Sequence, residues 1–386
     1  MMRENTSKYT NRRGFLKTAG AVTAVGLAGC SGNDSNGSDG SDSGGDGSDG
    51  EPEKTDMNVL ITFIPDMHYA PVMGAAEFGY WDDLGVNVTV ESGSGENPIQ
   101  LLTSGEYDAI VTGPTEQIIG RARDIPVRTL LTRTANTPAA FLSVGDGPTS
   151  LDEFPGLTLG WPNEPDIKSY SQAILQSEFS ESEREQMETV FTGFAMSNLL
   201  TEKVDAMTVF ETNADVTSLQ VVDDITLNAI PHNDYINAPG NVCLTTEDFL
   251  SQNPNSAREL ARGYCRSLIE TLKPENMDQY MDMTIQNLDE ADANVYIEGA
   301  EPRPVQEAIY ERFLNLRPSP EWGENGAGWN NPADFADVQE MLTNIGVVSE
   351  EAQLSEEELV QNEVINDIYD DQGRLIWNDE RIEVPV

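Results

Sequence analysis

The sequence is poor in positive charge. Of its 386 residues only 22 are Lys or Arg, against 67 Asp or Glu, and the formal net charge at pH 7 is −45. A nucleic-acid phosphate backbone requires a basic footprint on its protein partner, and a chain this acidic offers none. The composition therefore excludes nucleic acid as a partner.

Cysteine and histidine are also scarce. The chain has three cysteines and two histidines, and their spacing fits no zinc site. We expect no metal and no cofactor. Besides Cys30, only Cys243 and Cys265 remain, and the sequence leaves open whether they form a disulfide or stay buried as free thiols.

The acidic residues are spread along the whole chain and are not gathered in one tail. They recur, for example, at 181–188, 278–292 and 350–358. Self-repulsion of this size destabilises a compact state at low ionic strength, but concentrated salt screens it to short range. This dispersion resembles the acid-rich surfaces of extremely halophilic proteins.

Long apolar runs are missing after Ala28, so the sequence predicts no transmembrane helix in the body. At the N-terminus, Arg12 and Arg13 stand just before Phe-Leu-Lys and an Ala/Gly/Val-rich run from Thr18 to Ala28. That run is too short to span a bilayer permanently. Paired arginines before such a run are typical of the twin-arginine export signal. We assign residues 1–29 to a signal peptide, in preference to an ordinary N-terminal membrane helix.

The apolar run ends in Leu-Ala-Gly-Cys, with the cysteine at Cys30, and resembles the lipobox of bacterial and archaeal lipoproteins. The resemblance implies that Cys30 becomes the lipid-modified first residue of the mature chain. Residues 30–56 are mostly Ser, Gly, Asp, Asn and Glu, a composition typical of a disordered, flexible linker. We therefore expect a protein exported by the twin-arginine route and lipid-anchored to the outer face of the cell membrane.

The rest of the chain suits two lobes better than one domain. Strand-like and helix-like segments alternate, which favours an α/β fold with a largely parallel sheet. The strand-like segments are 57–63, 86–90, 108–111, 127–131 and 157–161, and the helical ones begin near 71, 99, 114 and 165. Beyond Glu247 the pattern is helical, interrupted by a Gly/Asn-rich segment, 322–329, that reads as a loop.

A weak internal repeat supports two related halves. Residues 101–109 and 199–206 both read Leu-Leu-Thr, a short connection and Asp-Ala before a strand. We assign 57–139 and 241–345 to lobe 1 and 140–240 to lobe 2, and regard 346–386 as an acidic C-terminal extension packed on the surface.

The order of these features resembles the NMT1/THI5-like family. The matching stretches are 64–71, with His68 after Pro-Asp-Met, then 75–81, 84–88, Gly-Glu-Tyr-Asp at 105–108, and Phe-Leu-Ser-Gln-Asn-Pro at 249–254. Trp81 and Val86 replace the Phe and Leu of the family pattern. The resemblance covers roughly residues 57 to 345. The family includes binding proteins for nitrate, sulfonates, taurine and thiamine pyrimidine precursors.

The resemblance implies a two-lobed type II periplasmic-binding-protein fold, α/β in class, with a hinge and a ligand held in the interlobe cleft. It also implies an ABC permease and its ATPase as partners, a monomeric state and no catalysis. Loops at strand ends are expected to reach the cleft. The predicted ligand-binding residues are Phe63, Asp66, His68, Tyr69, Thr112, Gly113, Thr115, Trp161, Asn163, Phe210, Glu211 and Asn213.

Four functions are considered, of which a purely structural surface protein is disfavoured by the two-lobed pattern. His68, Trp161 and Glu211, with no basic residue in the candidate loops, favour a small planar nitrogen-containing ligand such as a thiamine pyrimidine precursor. The alternative is a sulfonate, taurine or nitrate bound by hydroxyls and helix N-termini. A THI5-like pyrimidine synthase is disfavoured because that enzyme uses a cysteine-rich motif inside the cell.

Overall fold

The computed structural model describes residues 50–93, 97–222, 225–293 and 295–385. The predicted signal peptide, Cys30 and most of the predicted linker lie outside these ranges. None of the described helices is both long and apolar enough to cross a bilayer.

Twelve strands and fifteen α-helices make up the described part of the chain. The strands are β1 (Asp56–Ile61), β2 (Asn87–Ser92), β3 (Ala109–Thr112), β4 (Val127–Thr132), β5 (Ala139–Val144), β6 (Thr158–Trp161), β7 (Glu188–Phe191), β8 (Ala206–Phe210), β9 (Leu227–Pro231), β10 (Val242–Thr246), β11 (Leu375–Trp377) and β12 (Glu380–Ile382). The helices are α1 (Ala70–Glu77), α2 (Pro98–Thr103), α3 (Pro114–Arg121), α4 (Pro165–Glu178), α5 (Glu181–Arg184), α6 (Ser197–Leu200), α7 (Ala214–Val221), α8 (Glu247–Gln252), α9 (Pro254–Thr271), α10 (Met277–Glu290), α11 (Pro302–Leu316), α12 (Trp322–Asn325), α13 (Pro332–Asn344), α14 (Glu356–Leu359) and α15 (Glu363–Ile368).

Two five-stranded sheets have the same plan. Their orders are β2-β1-β3-β10-β4 and β7-β6-β8-β5-β9. In each sheet four strands run in the same direction, and the fourth in order is antiparallel to both of its neighbours. That strand, β10 or β5, is the one that follows a crossing from the other lobe. The α/β fold with two lobes predicted from the sequence is confirmed.

The two segments that connect the lobes, 133–138 and 232–241, run side by side. The amide of Arg133 donates to the carbonyl of Asn241 at 2.8 Å, and the amide of Gly240 donates to the carbonyl of Thr134 at 2.8 Å. A Cβ at Gly240 would lie 2.6 Å from the carbonyl oxygen of Asn136, so only glycine allows this approach. The paired segments form the hinge, and the predicted lobe limits at 139/140 and 240/241 lie at its ends.

The C-terminal residues complete the core of lobe 1. Ile365 and Ile368 of α15 are fully buried, as is Leu375 at the start of the β11–β12 hairpin. The Tyr369 hydroxyl donates to the carbonyl of Ala327 at 2.8 Å. The segment is therefore integral to the core, which differs from the surface-packed extension expected from its acidic composition. Its apolar residues are spaced among the acids, and the tertiary contacts outweigh the composition.

The C-terminal half also differs from the prediction in the first half of the expected loop, 322–325. Trp322 begins a short helix, α12, and is 1% exposed. Gly326 ends that helix with φ 94°, a left-handed conformation that only glycine adopts readily. Residues 326–329 have no helix or strand, so the predicted loop is present and begins four residues later than expected.

The two cysteines of the described body are free. Cys243 lies on β10 and Cys265 on α9, and both are fully buried. Burial raises the pKa of both thiols, that of Cys265 to about 12. They behave as small apolar core residues with low reactivity.

Candidate functional site

A cavity of about 740 Å³ lies between the two lobes. This volume is in the usual range for small-molecule sites. The lining residues come from both lobes and from the hinge: Thr62, Phe63, His68, Tyr69, Asn97, Pro98, Thr112, Gly113, Glu116, Ile119, Arg123, Asn163, Glu164, Pro165, Asp166, Phe194, Phe210, Asn213 and Asn241.

The loop after β1 brings three predicted residues to the cavity. Phe63, His68 and Tyr69 line it, and Asp66 lies behind them as the N-cap of a short 3-10 helix. One Asp66 oxygen accepts the His68 amide at 2.9 Å, while the other has no partner among the described residues. Burial raises the pKa of Asp66 to about 8. Asp66 therefore shapes this loop and does not contact the cavity.

His68 is held in one orientation by both lobes. The Arg133 guanidinium donates to its Nε2 at 2.5 Å, and the Thr212 hydroxyl of lobe 2 lies 3.4 Å from its Nδ1. Because a guanidinium can only donate, Nε2 must be the unprotonated nitrogen and Nδ1 must carry the hydrogen. Burial, with Arg133 and Arg317 nearby, keeps the pKa of His68 well below its usual value. The ring is neutral.

Arg133 supports this side of the cavity from beneath. It is fully buried and also donates to the His68 carbonyl and, at 2.5 Å, to Asn241 Oδ1 in the other hinge segment. Its guanidinium lies 5.4 Å from the ring centroids of Tyr69 and Phe313. Arg133 thus links the cavity floor to both hinge segments.

Three carboxyl groups converge on the cavity. Glu116 comes from α3 of lobe 1, and Glu164 and Asp166 come from the start of α4 in lobe 2. Glu164 caps α4 by accepting the Ile167 amide at 2.7 Å. Burial raises the pKa of all three groups, that of Asp166 to about 7. The cavity therefore favours a ligand that brings hydrogen-bond donors or positive charge.

Aromatic rings supply the apolar walls. Phe63 of lobe 1 and Phe194 of lobe 2 meet edge to face across the cleft, with ring centroids 6.1 Å apart. Tyr69 and Phe210 also line the cavity. Such walls suit a flat ligand that packs against ring faces.

Most of the predicted binding residues line this one cavity. They are Phe63, His68, Tyr69, Thr112, Gly113, Asn163, Phe210 and Asn213. Four others, Asp66, Thr115, Trp161 and Glu211, do not line it. Thr115 is fully buried in the first turn of α3.

Trp161 and Glu211 lie elsewhere than predicted. Trp161, at the end of β6, lines a second groove of about 590 Å³ together with Lys168 and Phe191, and this groove adjoins the interlobe cavity at Asn163. Glu211 does not line the cavity either, and its backbone carbonyl accepts a hydrogen bond from the Arg312 guanidinium. Burial raises the pKa of its carboxyl group, and Arg312 opposes that shift.

Sequence reasoning missed several lining residues. Glu116 and Arg123 lie in and just after α3, whose cleft-facing side could not be identified from spacing alone, and Phe194 lies in the turn between β7 and α6. Pro98 at the start of α2 and Asn241 in the hinge carried a usable signal, because residues at helix starts and crossings tend to face the cleft. Arg123 also adds a positive charge where the candidate loops contain none.

No group of three or more His, Cys, Asp or Glu side chains among the described residues is arranged to hold a metal ion.

The fold is shared with solved solute-binding proteins. The alkanesulfonate-binding protein SsuA from Xanthomonas axonopodis pv. citri has a TM-score of 0.58 at 10% identity, covering 80% of this chain and 99% of that one. The nitrate-binding protein NrtA from Synechocystis has a TM-score of 0.58 at 15% identity, covering 82% and 88%. These likenesses establish the periplasmic-binding-protein fold.

Sequence relatives point to the same group of proteins. The riboflavin-binding protein RibY of Chloroflexus aurantiacus is 23% identical over 306 residues, which cover 78% of this chain and 83% of RibY. A formylaminopyrimidine-binding protein of Halalkalibacterium halodurans is 23% identical over 316 residues, covering 77% and 88%. The family model described as NMT1/THI5 like matches residues 66–276. The chain belongs to the NMT1/THI5-like family.

Proposed function

We propose that this protein is the solute-binding component of an ABC importer and that its ligand is a small planar nitrogen-containing molecule, such as a thiamine pyrimidine precursor. The proposal rests on the interlobe cavity and on membership of a family whose relatives are named as binding proteins. Its partners would be an ABC permease and the ATPase of that permease. The protein would release its ligand unchanged.

The carboxyl groups in the cavity carry the ligand assignment. Glu116 and Glu164 face a space walled by aromatic rings, whereas the Asp166 carboxyl group beside them already accepts the Thr115 amide. An amino-bearing heterocycle would stack on the rings and donate hydrogen bonds to the carboxylates, which are costly to bury unpaired. The two sequence relatives are named for riboflavin and formylaminopyrimidine, and both of those ligands are flat and nitrogen-rich.

An anionic ligand is the second candidate, favoured by one observation. Arg123 lines the cavity, and the solved relatives of this fold include proteins named for alkanesulfonate and nitrate. Against this, the N-terminus of α3, a natural anion site, already has a carboxylate from Asp166 on the Thr115 amide at 3.1 Å. Carboxyl groups also outnumber Arg123 in the lining.

The ligand classes can be separated by calorimetric titration in concentrated salt. We expect heat of binding for formylaminopyrimidine or riboflavin and none for taurine, an alkanesulfonate or nitrate. Glu164→Gln should weaken pyrimidine binding, whereas Glu188→Gln, exposed on β7, should not. Sulfonate or nitrate binding in the absence of pyrimidine and flavin binding would replace the first candidate with the second.

Export and anchoring form part of the proposal and rest on the N-terminal sequence. Residues 1–29 would direct the chain to the twin-arginine route, and Cys30 would carry the lipid that tethers the body outside the cell. Replacing Arg12 and Arg13 with lysines should block export. Cys30→Ser should release the protein from the membrane fraction into the medium, which an immunoblot of the fractions would detect.

A further inference from the structure

Helix α3 of lobe 1 starts without a cap of its own. Its N-cap residue is Gly113, which has no side chain to accept a first-turn amide. The acceptor is supplied across the cleft. Asp166 belongs to α4 of lobe 2, and its Oδ1 accepts the Thr115 amide at 3.1 Å. A residue of one lobe thus caps a helix of the other.

The carboxyl group of Asp166 sits in a socket built for it. Asp166 is 2% exposed, and Thr115 and Tyr170 beside it are fully buried. The hydroxyls of Thr115 and Tyr170 have no hydrogen-bond partner among the described residues, and both lie near enough to the Asp166 carboxyl group to oppose the rise of its pKa on burial. Two buried hydroxyls and one amide therefore face a single carboxyl group.

Gly113 leaves the space that this contact requires. Its backbone angles are φ −87° and ψ 161°, which any residue can adopt, so conformation does not demand glycine here. A Cβ at position 113, however, would lie 1.2 Å from Asp166 Oδ2. Glycine is needed because the other lobe's carboxyl group occupies the place of a side chain.

We propose that Asp166 is the positioning residue that fastens lobe 2 onto lobe 1 and closes the cleft over its ligand, with Gly113 as the receiving site. This inference deepens the proposed function by assigning the closure step to one interlobe contact. The same contact fills the α3 N-terminus, so it also keeps that helix end from binding an anionic ligand.

Closure can be measured directly by the distance between two spin labels. In a Cys30→Ser background, cysteines introduced at Gln252 in lobe 1 and Glu188 in lobe 2 are exposed, whereas Cys243 and Cys265 are buried and will not react. Pulsed electron resonance gives the distribution of label distances in concentrated salt. The measurement is made first without ligand and then with formylaminopyrimidine or riboflavin.

Asp166→Ala is expected to lengthen the distances, as is Gly113→Ala. The double variant should open no further than either single one, because both changes break the same contact. Asp166→Asn keeps the acceptor oxygen and should remain mostly closed. Asp152→Ala, an exposed acid in lobe 2, serves as the control. Circular dichroism verifies that each variant is folded.

Formate distinguishes a carboxylate socket from a general packing effect. Replacing chloride with formate at equal ionic strength should restore the short distances in Asp166→Ala, because formate can fill the vacated socket. It should not restore them in Gly113→Ala, where the added methyl group blocks the site.

Two results would overturn the inference: distances in Asp166→Ala that match the wild type with and without ligand, or additive opening in the double variant. If Asp166→Ala is open and formate does not restore the short distances, the site does not bind a carboxylate as proposed. None of these readings requires that the wild type bind a pyrimidine or a flavin. A failure of the proposed ligand would therefore be recognised separately.

Discussion

Asp108 and Asp205 form the same pair of hydrogen bonds in the two lobes. The Asp108 amide donates to the Asn58 carbonyl at 2.9 Å, and Asp108 Oδ2 accepts the Asn58 amide at 2.9 Å. In lobe 2 the Asp205 amide donates to the Thr158 carbonyl at 2.8 Å, and Asp205 Oδ2 accepts the Thr158 amide at 2.8 Å. Each aspartate thus joins the start of one parallel strand to the next.

The repeated contact predicts similar losses of stability in the two lobes. Asp108→Ala and Asp205→Ala should each lower the free energy of unfolding by about 1–3 kcal/mol, because each leaves a strand amide without its charged acceptor. Denaturant unfolding in high salt measures the loss. Asp→Asn at the same positions keeps an acceptor oxygen and should cost less. Equal stability of the Ala and Asn variants would contradict this role.

Ligand affinity should depend on Phe194 and not on Trp161. Phe194 lines the cavity and meets Phe63 across it, so Phe194→Ala should weaken ligand binding about tenfold, equivalent to ~1.4 kcal/mol. Trp161 lines the adjoining groove and not the cavity itself, so Trp161→Ala should leave the affinity within a factor of about two. Calorimetric titration of both variants with the ligand found for the wild type measures the two affinities. A large loss of affinity in Trp161→Ala, with none in Phe194→Ala, would show that the ligand binds beside Trp161, as the sequence predicts.

Arg133 should control the state of the His68 ring. Arg133→Met removes the donor to Nε2 and a nearby positive charge, so the pKa of His68 should rise and its tautomer should cease to be fixed. Nitrogen-detected NMR of the histidine rings can follow this, since the chain has only two histidines. The ring of His232 serves as the internal control. An unchanged His68 spectrum would show that Arg133 does not hold the ring.

The other histidine should make stability depend on pH. His232 is fully buried at the start of a hinge segment, and neither ring nitrogen has a partner among the described residues. Burial lowers its pKa from 6.5 to about 3. Below pH 6.5 the unfolded chain binds a proton at this site that the folded chain refuses, so stability falls as the pH drops towards 3. The slope from this residue is about 1.4 kcal/mol for each pH unit.

Phenylalanine at position 232 removes the titrating group and keeps the ring packing. The imidazole lies 4.6 Å from the Phe141 ring centroid, a space that a benzene ring can use. His232→Phe should therefore raise the free energy of unfolding at neutral pH and flatten its decline below pH 6.5. Denaturant midpoints at a series of pH values test this. Equal slopes in both proteins would show that other groups cause the acid sensitivity.

Local signals made the fold predictable. The prolines that begin α2, α3 and α4 and the short apolar strands between them are readable one segment at a time. The repeat at Asp108 and Asp205 was readable for the same reason, because it serves a local strand junction. The family resemblance then supplied the two-lobed arrangement.

The site was only partly predictable, because it depends on which surfaces of the two lobes face each other across the cleft. Asp166 was not predicted, since its acceptor role exists only when α3 of the other lobe lies beside it. Trp161 lies in the groove beside the cavity and not in its lining, because a strand end carries no sign of which sheet face its side chain takes. Arg133 was hidden in the connection between two strands, where only the hinge pairing gives it partners.

The crossing strands make lobe 2 an insertion in lobe 1. Lobe 1 needs β10 in the middle of its sheet and the residues around Ile365 in its core, both of which follow lobe 2 in the chain. During synthesis, therefore, the second lobe can acquire its full sheet before the first one can. Loss of the last few dozen residues would therefore leave lobe 2 intact and remove part of the interior of lobe 1.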